Sequence, residues 1–434
     1  RTSSLPSLWK EAIVVPIYKK KNPFIVENYR PISLCCVSCK IMETIINQTI
    51  VEHLNLHKLL SEKQFGFSRG KSCATQLLYC RDKWSRFLDT KKLIDVVYID
   101  FQKAFDSVVH SKLITKLKLF GIDGFLIKWL TEFLNNRSQK VKIGFSFSDS
   151  ISVKSGVPQG SVLGPTLFNM YINDIVSCVE SSEILLFADD VKLFNTDARQ
   201  LEKDLVNIYE WSEKWQLPIS SEKCNILHLG KNNPKKSYFL NGKLIKSDEN
   251  VKDLGVFMTE KFSSSLHCNH LFRKCSQIAS LILKSFISRN KDLMLRAYKV
   301  YIITQLDYCS TVYPPHKISD INLLERIQRK FTKSILRNSA LSYNERLEIL
   351  GLQRLEVRRI HNDLFLAYKM IHGKTPGLNI LSICEKPSIT RSSDKTTFVI
   401  EKFSLDLRKF DFTCRTSKIW NSLPKNVIDC ANLD

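Results

Sequence analysis

Phe187-Ala188-Asp189-Asp190 places two adjacent carboxylates at the tip of an apolar segment. Ile184, Leu185 and Leu186 lead into it, and Val191, Leu193 and Phe194 lead away. The pattern predicts two half-buried strands pinched into a hairpin, with the acidic pair in the turn. Like charges this close repel, so a fold keeps them only where solvent screens them or a cation sits between them. On these four residues alone, a solvated turn and a cation site both remain open.

Upstream, Leu93-Ile94-Asp95-Val96-Val97-Tyr98-Ile99-Asp100 reads as a largely apolar strand that ends on an acid. Such a strand delivers the further carboxylate that a metal site on the hairpin needs, although an ordinary strand end looks the same. Between the two lies Gly156-Val157-Pro158-Gln159-Gly160-Ser161-Val162-Leu163-Gly164-Pro165. Its glycines allow close approach, and Pro165 suits the first position of a helix carrying Leu167, Phe168 and Tyr171. A glycine-lined surface beside the Gln159 amide suits a nucleobase or sugar; a helix-entry turn is the plainer reading.

Nearer the start, Ala12 to Val15 predicts a strand running into Tyr18-Lys19-Lys20-Lys21, followed by Asn28-Tyr29-Arg30-Pro31-Ile32-Ser33-Leu34. Arginine forks onto phosphate oxygens and Pro31 stiffens the backbone beside Arg30, so this region suits phosphates; a solvated lysine run fits it too. Ile41 to Leu60 reads as a helix with Ile41, Ile45, Ile46, Ile50 and Leu54 on one face. Gln64 to Gly70 is a glycine-punctuated loop, and Ser72 or Thr75 is placed to cap the helix that runs to about Leu88. Asp123 is placed to cap a helix striped with Leu126, Trp129, Leu130, Phe133 and Leu134, a pattern that reads as core. Lys223 to Leu229 reads as a strand, and Asn241-Gly242 as a hairpin turn. Near residue 260 the pattern becomes mainly helical. There Leu324, Ile327, Phe331 and Ile335 form an apolar stripe beside a basic one of Arg326, Arg329, Lys330, Lys333 and Arg337, which suits a phosphate backbone or plain solvation.

The chain's 434 residues, 44% of them hydrophobic, are enough for a large core. Sixty-five Lys and Arg against 43 Asp and Glu give a formal charge of +22, which favours polyanionic partners such as nucleic acid. No apolar run reaches the ~18 to 20 residues of a membrane span. Thirteen scattered cysteines suit reduced thiols better than a disulfide framework. The Cys36/Cys39 pair and the cluster His267, Cys268, His270 and Cys275 lack a second ligand pair at zinc spacing. The chain opens on Arg1 and enters a motif at once, which suggests a piece of a longer protein.

One strand-end acid, a glycine loop, a hairpin acid pair and flanking basic segments are the parts that two-metal phosphoryl transfer needs, because two cations ~3.5 to 4 Å apart stabilise entering and leaving oxygens. NYRPISL (28–34), QFGFSRGKS (64–72), YIDFQKAFDSVVH (98–110), SGVPQGSVLGP (155–165), FADD (187–190), Lys223-Cys224 and DLGV (253–256) together resemble the ordered blocks of reverse transcriptases of non-LTR, jockey-like retrotransposons. Trp420-Asn421-Ser422-Leu423-Pro424 extends the resemblance toward the C-terminus.

The resemblance implies an α+β, right-hand polymerase: fingers and palm with antiparallel sheet over 1–256, a helical thumb over 257–345, and a helical or irregular C-terminal region over 346–434. It implies RNA-directed DNA polymerase activity, with Asp100, Asp189 and Asp190 binding two Mg²⁺ (or Mn²⁺) ions and Lys223 protonating the departing pyrophosphate. Lys19 and Arg30 would meet the triphosphate, Phe105 would bar a ribose 2′-hydroxyl, and Gln159 and Gly160 would line the nucleotide site. Leu254 and Gly255 would support the primer end, and Arg326, Arg329, Lys330 and Lys333 would touch the duplex. RNA template, DNA primer or target, and dNTPs are the implied partners, with no membrane, and residence is nuclear or also cytoplasmic. The family's endonuclease domain is not expected within this stretch. The other reading is a catalytically idle nucleic-acid-binding remnant or domesticated copy.

Overall fold

The computed structural model describes residues 4–19, 22–338, 340–382 and 397–428; Lys20 and Lys21 of the basic run lie outside them. The elements that place the site begin with β1 (Glu11–Tyr18), β2 (Tyr29–Leu34), α1 (Val37–Leu56), α2 (Cys73–Asp89) and β3 (Ile94–Ile99). They continue with β4 (Arg137–Ile143), α3 (Gly164–Ile172), β5 (Glu183–Phe187), β6 (Asp190–Asn195), α4 (Ala198–Trp215) and β7 (Asn225–Leu229). Then come β8 (Lys246–Ser247), β9 (Asn250–Asp253), β10 (Val256–Thr259), α5 (Ser265–Ser285), α6 (Ile318–Leu336), α7 (Leu355–Ile371) and α8 (Phe412–Ser422). Helices and mainly antiparallel strands share the chain, which is the expected α+β class. Two compact units form: residues 1–69, 96–226 and 236–246 make the first, and residues 70–95, 227–235 and 247–434 the second.

In the first unit β1 buries Ala12 and Val14 while their neighbours stay half-buried, the alternation of a strand with one core face. β2 pairs with it antiparallel, setting Ile17 opposite Arg30, and β4 pairs with it in parallel. The sheet that carries the acids has the order β8-β7-β3-β6-β5. Its central strand β3 is buried at every position but Tyr98, as its run of branched apolar residues requires. β5 and β6 form the predicted hairpin, with Leu186 opposite Val191 and Phe187 opposite Asp190, so only Ala188 and Asp189 remain in the turn. Leu130, Phe133, Phe168, Tyr171, Leu205 and Ile208 pack into the core that holds the sheet.

Three local expectations need correction. α1 buries Cys39, Glu43, Ile46, Ile50 and Leu54, whereas Ile41 and Ile45 are 63% and 57% exposed. The buried series recurs every three to four residues, and Ile45 sits roughly 100° round the helix from Ile46. Asp123 makes no side-chain cap to the helix Gly124–Leu134, which the chain enters through Gly124 in the left-handed region (φ +55°). Lys223 precedes β7 in a turn and is not part of that strand. The Asn241-Gly242 hairpin is present, with both residues at positive φ as a two-residue turn demands.

In the second unit Ser72 and Thr75 cap α2 reciprocally, and α6 buries Leu324, Ile327, Phe331 and Ile335 as the stripe predicts. Trp420 packs on Phe398 with ring centroids 5.5 Å apart. The Asn421 amide accepts from the Phe398 N–H and donates to its carbonyl, each at 2.9 Å. The C-terminal signature therefore ties one helix to a distant segment. No described helix is long and apolar enough to cross a membrane.

Candidate active site in the first unit

Asp100 follows the last residue of β3, and the chain at 218–220 fixes it there: Ser220 N–H donates to the Asp100 carbonyl at 2.7 Å and Gln102 N–H to Pro218 at 2.8 Å. The same turn brings Lys223 Nζ to 3.4 Å from Asp100 Oδ1, between two half-exposed side chains. Asp189 sits at the hairpin tip, partly buried, and Asp190 opens β6 with its side chain exposed. Burial raises the Asp189 pKa. Its own backbone N–H opposes the shift, the Asp100 charge adds to it, and Arg30 and Lys223 oppose it. These couplings bring Asp100, Asp189, Arg30 and Lys223 into one electrostatic neighbourhood.

The hairpin tip is held from behind. Ala188 takes a left-handed conformation (φ +55°), which costs a non-glycine residue about 1 to 2 kcal/mol. Gln64 Oε1 accepts from Ala188 N–H at 3.0 Å and from Gly66 N–H at 2.8 Å, and Phe65 N–H donates to Leu186 O at 2.8 Å. From α3, the Asn169 amide donates to Gly66 O at 2.8 Å. The loop 64–66, open on sequence between contact with nucleic acid and a simple turn, thus braces the acidic turn. Gly66 has an ordinary φ and is glycine for want of space: a Cβ there would lie 2.3 Å from Ala188 N and 2.9 Å from Phe187 C. Gly66→Ala is therefore expected to cost about 2 kcal/mol, read as a lowered urea midpoint, because only backbone can move aside.

The glycine loop is clamped between β2 and the turn after β3. Gly156 N–H donates to Val108 O at 2.7 Å, Val157 N–H to Phe105 O at 2.8 Å, and Ser33 N–H to Gln159 O at 2.8 Å. Gly156 (φ +88°) and Gly160 (φ +118°) permit this approach; Cβ atoms there would come within 2.7 Å of Asp106 Cα and 2.4 Å of Ser33 O. The Gln159 amide donates to Asp106 Oδ1 at 2.8 Å, so this side chain is positioned by a carboxylate. Burial raises the Asp106 pKa against the opposing effects of Gln159, Lys103 and Lys19. Phe105 stacks on Phe168 at 4.3 Å and 16°. A cavity of about 320 Å³ beside the loop is lined by Lys103, Asp106, Arg137, Gln139, Ser155 and Gln159, among others.

Asp106, Arg137 and Glu43 have site roles that the sequence reading did not assign. Glu43 is fully buried on α1, and its Oε2 accepts from Val162 N–H at 2.7 Å and Leu163 N–H at 3.1 Å, anchoring the far end of the glycine loop. A charged residue at the position where α1's apolar face continues upstream of Ile46 was the available signal. Leu254, Gly255, Arg326, Arg329, Lys330 and Lys333 belong to the second unit. Leu254 and Gly255 form the left-handed turn between β9 and β10, and the four basic residues are exposed on α6.

Three carboxylates are hard oxygen donors suited to a divalent cation, and the mutual repulsion of Asp100 and Asp189 is what such a cation relieves. Among the described residues no three His, Cys, Asp or Glu side chains converge closely enough to hold an ion, so the set is open. This also applies to His267, Cys268, His270 and Cys275. Cys39 is instead buried against Glu43, its Sγ 3.4 Å from Oε1.

Residues 17–258 match the family described as reverse transcriptase (RNA-dependent DNA polymerase). Over 353 residues the chain is 30% identical to the RNA-directed DNA polymerase from mobile element jockey of Drosophila melanogaster, covering 76% of this chain and 38% of that protein. Over 321 residues it is 29% identical to the probable RNA-directed DNA polymerase from transposon BS of the same species, covering 70% and 35%. It thus spans little more than a third of either relative. Among solved structures, apo telomerase from Candida tropicalis aligns with 86% of this chain and 69% of its own, at 13% identity and a TM-score of 0.46. The match over residues 17–258 takes in more than half of the sequence, including all three acids and the glycine loop, and the chain belongs to the reverse transcriptase family.

Proposed function

We propose that this chain extends the 3′-hydroxyl of a DNA primer on an RNA template, as the polymerase of a non-LTR retrotransposon. The observation that carries the proposal is the Asp100–Asp189 pair at adjacent strand ends, flanked by Arg30 and Lys223 and backed by the loop 64–66 that braces the hairpin tip. The family's chemistry depends on a divalent cation; Mg²⁺ is proposed, Mn²⁺ being the substitute, held by Asp100, Asp189 and Asp190. Bound there, the ions would supply charge neutralisation at the entering and leaving oxygens. Arg30 and Lys19 would offer cationic contacts for the triphosphate, and Lys223 is proposed to supply the proton the leaving pyrophosphate takes up. Residues 1–256 serve as fingers and palm of a right hand, 257–345 as the thumb, and 346–434 as the C-terminal region. Leu254–Gly255, at the end of the palm, and the basic face of α6 in the thumb are proposed to meet primer and duplex. Nuclear residence follows from a chromosomal primer and is proposed with it.

The test is primer extension by purified chain on an RNA template with an annealed DNA primer, Mg²⁺ and dNTPs. No extension by folded protein that still binds the duplex would sink the enzyme reading in favour of an idle nucleic-acid-binding remnant.

Phe105 gives a second check. Its ring is held by the stack on Phe168, so it presents a fixed wall to a sugar. Phe105→Ala is expected to raise rNTP relative to dNTP incorporation by roughly 10- to 100-fold, measured as a ratio of kcat/KM values, because steric discrimination by one side chain is worth a few kcal/mol. An unchanged ratio counts against the gate role.

A further inference from the structure

Cys36 and Cys39 take no part in the chemistry described above, and both are free thiols in the first unit. Cys36 is the N-cap residue of α1 (φ −54°, ψ 135°), and Cys39 follows three residues later in the first helical turn. An N-cap side chain faces the amides of the next two or three residues, and Cα atoms three apart along a helix are about 5 Å from each other. That separation lies inside the ~4.4 to 6.8 Å that a disulfide spans, so the pair can be bridged without moving the helix.

The two thiols have opposite surroundings. Cys36 is half-exposed, and Ser38 Oγ lies 3.0 Å from its Sγ. Ser38 Oγ already accepts from Trp9 Nε1 at 3.0 Å, which leaves its own O–H to donate to the Cys36 sulfur. That contact first, and then the N–H groups of Cys39 and Ser38, holds the Cys36 thiol below its ordinary pKa. An accessible sulfur so placed carries more thiolate, the attacking species in thiol–disulfide exchange. Cys39 is fully buried, and burial, then the Glu43 charge, pushes its thiol up to about 12. Its Sγ is 3.4 Å from Glu43 Oε1, so the buried thiol has a carboxylate to take its proton. Cys35 is the competing thiol; burial raises its pKa, and its Sγ is turned to Ser33 O at 4.0 Å.

We propose that Cys36 and Cys39 form a redox-active dithiol, oxidised to a disulfide by a low-molecular-weight disulfide, and that its closure loosens the glycine loop. The Cys36 thiolate attacks one sulfur of the oxidant, forming a mixed disulfide and releasing one small thiolate. Cys39 gives its proton to Glu43, and its sulfur displaces the second small thiolate from Cys36; that thiolate takes the proton from Glu43. The dithiol loses two electrons and the small disulfide is reduced to two thiols. Glu43 transmits the change. Its Oε2 holds Val162 N–H at 2.7 Å and Leu163 N–H at 3.1 Å, while its Oε1 faces Cys39. Turning the Cys39 sulfur toward Cys36 strips Oε1 of its donor and leaves a buried carboxylate held from one side only.

The test uses the full chain in glutathione buffers. Free thiols are trapped by alkylation and mapped by mass spectrometry, and amide exchange is followed over residues 156–165. Oxidised wild type and Cys35→Ser should both yield the Cys36–Cys39 disulfide, whereas Cys39→Ser should stop at a glutathione adduct on Cys36. Exchange at Val162 and Leu163 should rise about 10-fold on closure, return with dithiothreitol, and stay unchanged by oxidation in Cys39→Ser. A glutathione adduct as the end product in wild type, or a bridge through Cys35, overturns the dithiol; closure without faster exchange overturns its coupling to the loop. None of these readouts depends on primer extension, so failure of the polymerase reading is told apart from failure of this one.

Discussion

Asp189→Asn is expected to lower RNA-templated primer extension by ~10³-fold or more while leaving duplex affinity within about twofold. Removing one preorganised electrostatic contact at a reacting centre typically costs 10²- to 10³-fold, and a carboxylate that anchors a cation is at the upper end of that scale. The substitution keeps the side chain's size, so lost charge is the variable under test. Asp189 is only partly buried and lies at the tip of a two-residue turn.

The same substitution makes a stability prediction of opposite sign. Burial first, and the Asp100 charge with it, raises the folded-state pKa of Asp189 above its unfolded value. Between those two values the folded chain holds more protons than the unfolded one, so this residue's contribution to stability falls as pH rises through the window. At neutral pH the ionised carboxylate is thus a burden that asparagine removes, and Asp189→Asn should match or exceed wild-type stability, by about 0.5 kcal/mol. In the active wild type the carboxylate must be ionised to take a cation. At subsaturating cation the acid limb of the extension profile should therefore lie above the ordinary aspartate value of about 4, and it should move down as the cation concentration rises. A variant that extends primers normally, or one that loses both activity and fold, would remove Asp189 from the proposed role.

The hairpin, the strand ending at Asp100 and the glycine loop were legible because each depends on local signals: strand alternation, an abrupt acidic tip, and glycines where no Cβ fits. The supports of the site were not. Gln64 and Gly66 act across more than a hundred residues of chain on Ala188, and nothing local distinguishes a bracing glycine from one that turns. Glu43 occupies the buried face of α1, where an apolar rule looks only for the isoleucines and so assigned Ile41 and Ile45 to the core in its place. Gln159 was legible as a site residue, but its restraint by Asp106 depends on the folded path of the turn after β3. The assignment of residues 70–95 to the second unit is likewise a matter of long-range contacts that periodicity cannot report.

Those long-range contacts lead to the largest stability effect expected in the chain. Arg408, 1% exposed, donates through Nη1 to Asp82 at 2.7 Å, Ser85 at 2.9 Å and Asp411 at 3.3 Å, and through Nη2 to Glu401 at 2.5 Å. Asp411, equally buried, also accepts from Arg81 Nε at 3.0 Å and Ser85 Oγ at 2.8 Å. Asp82 further accepts from Arg86 Nε at 2.9 Å. Three arginines face three carboxylates, which joins α2 to the segment 401–411 within the second unit. Burial alone would lower the Arg408 pKa; the Asp82 charge and the hydrogen bonds to Glu401 and Asp82 outweigh it and hold the guanidinium firmly charged. Arg408→Ala leaves Asp82, Asp411 and Glu401 facing only two arginines, with a buried cavity in place of the fork. Breaking a buried pair from one side costs about 3 to 5 kcal/mol, so the melting temperature should fall by ~10 °C. Arg408→Lys, which keeps the charge but not the planar fork, should fall between the two. Arg408→Ala/Asp411→Ala restores charge balance and should be less destabilised than the sum of its single variants. Strict additivity of the two would mean that the network is not coupled, and a fall in Tm below about 3 °C for Arg408→Ala would mean that it does not fasten the tail.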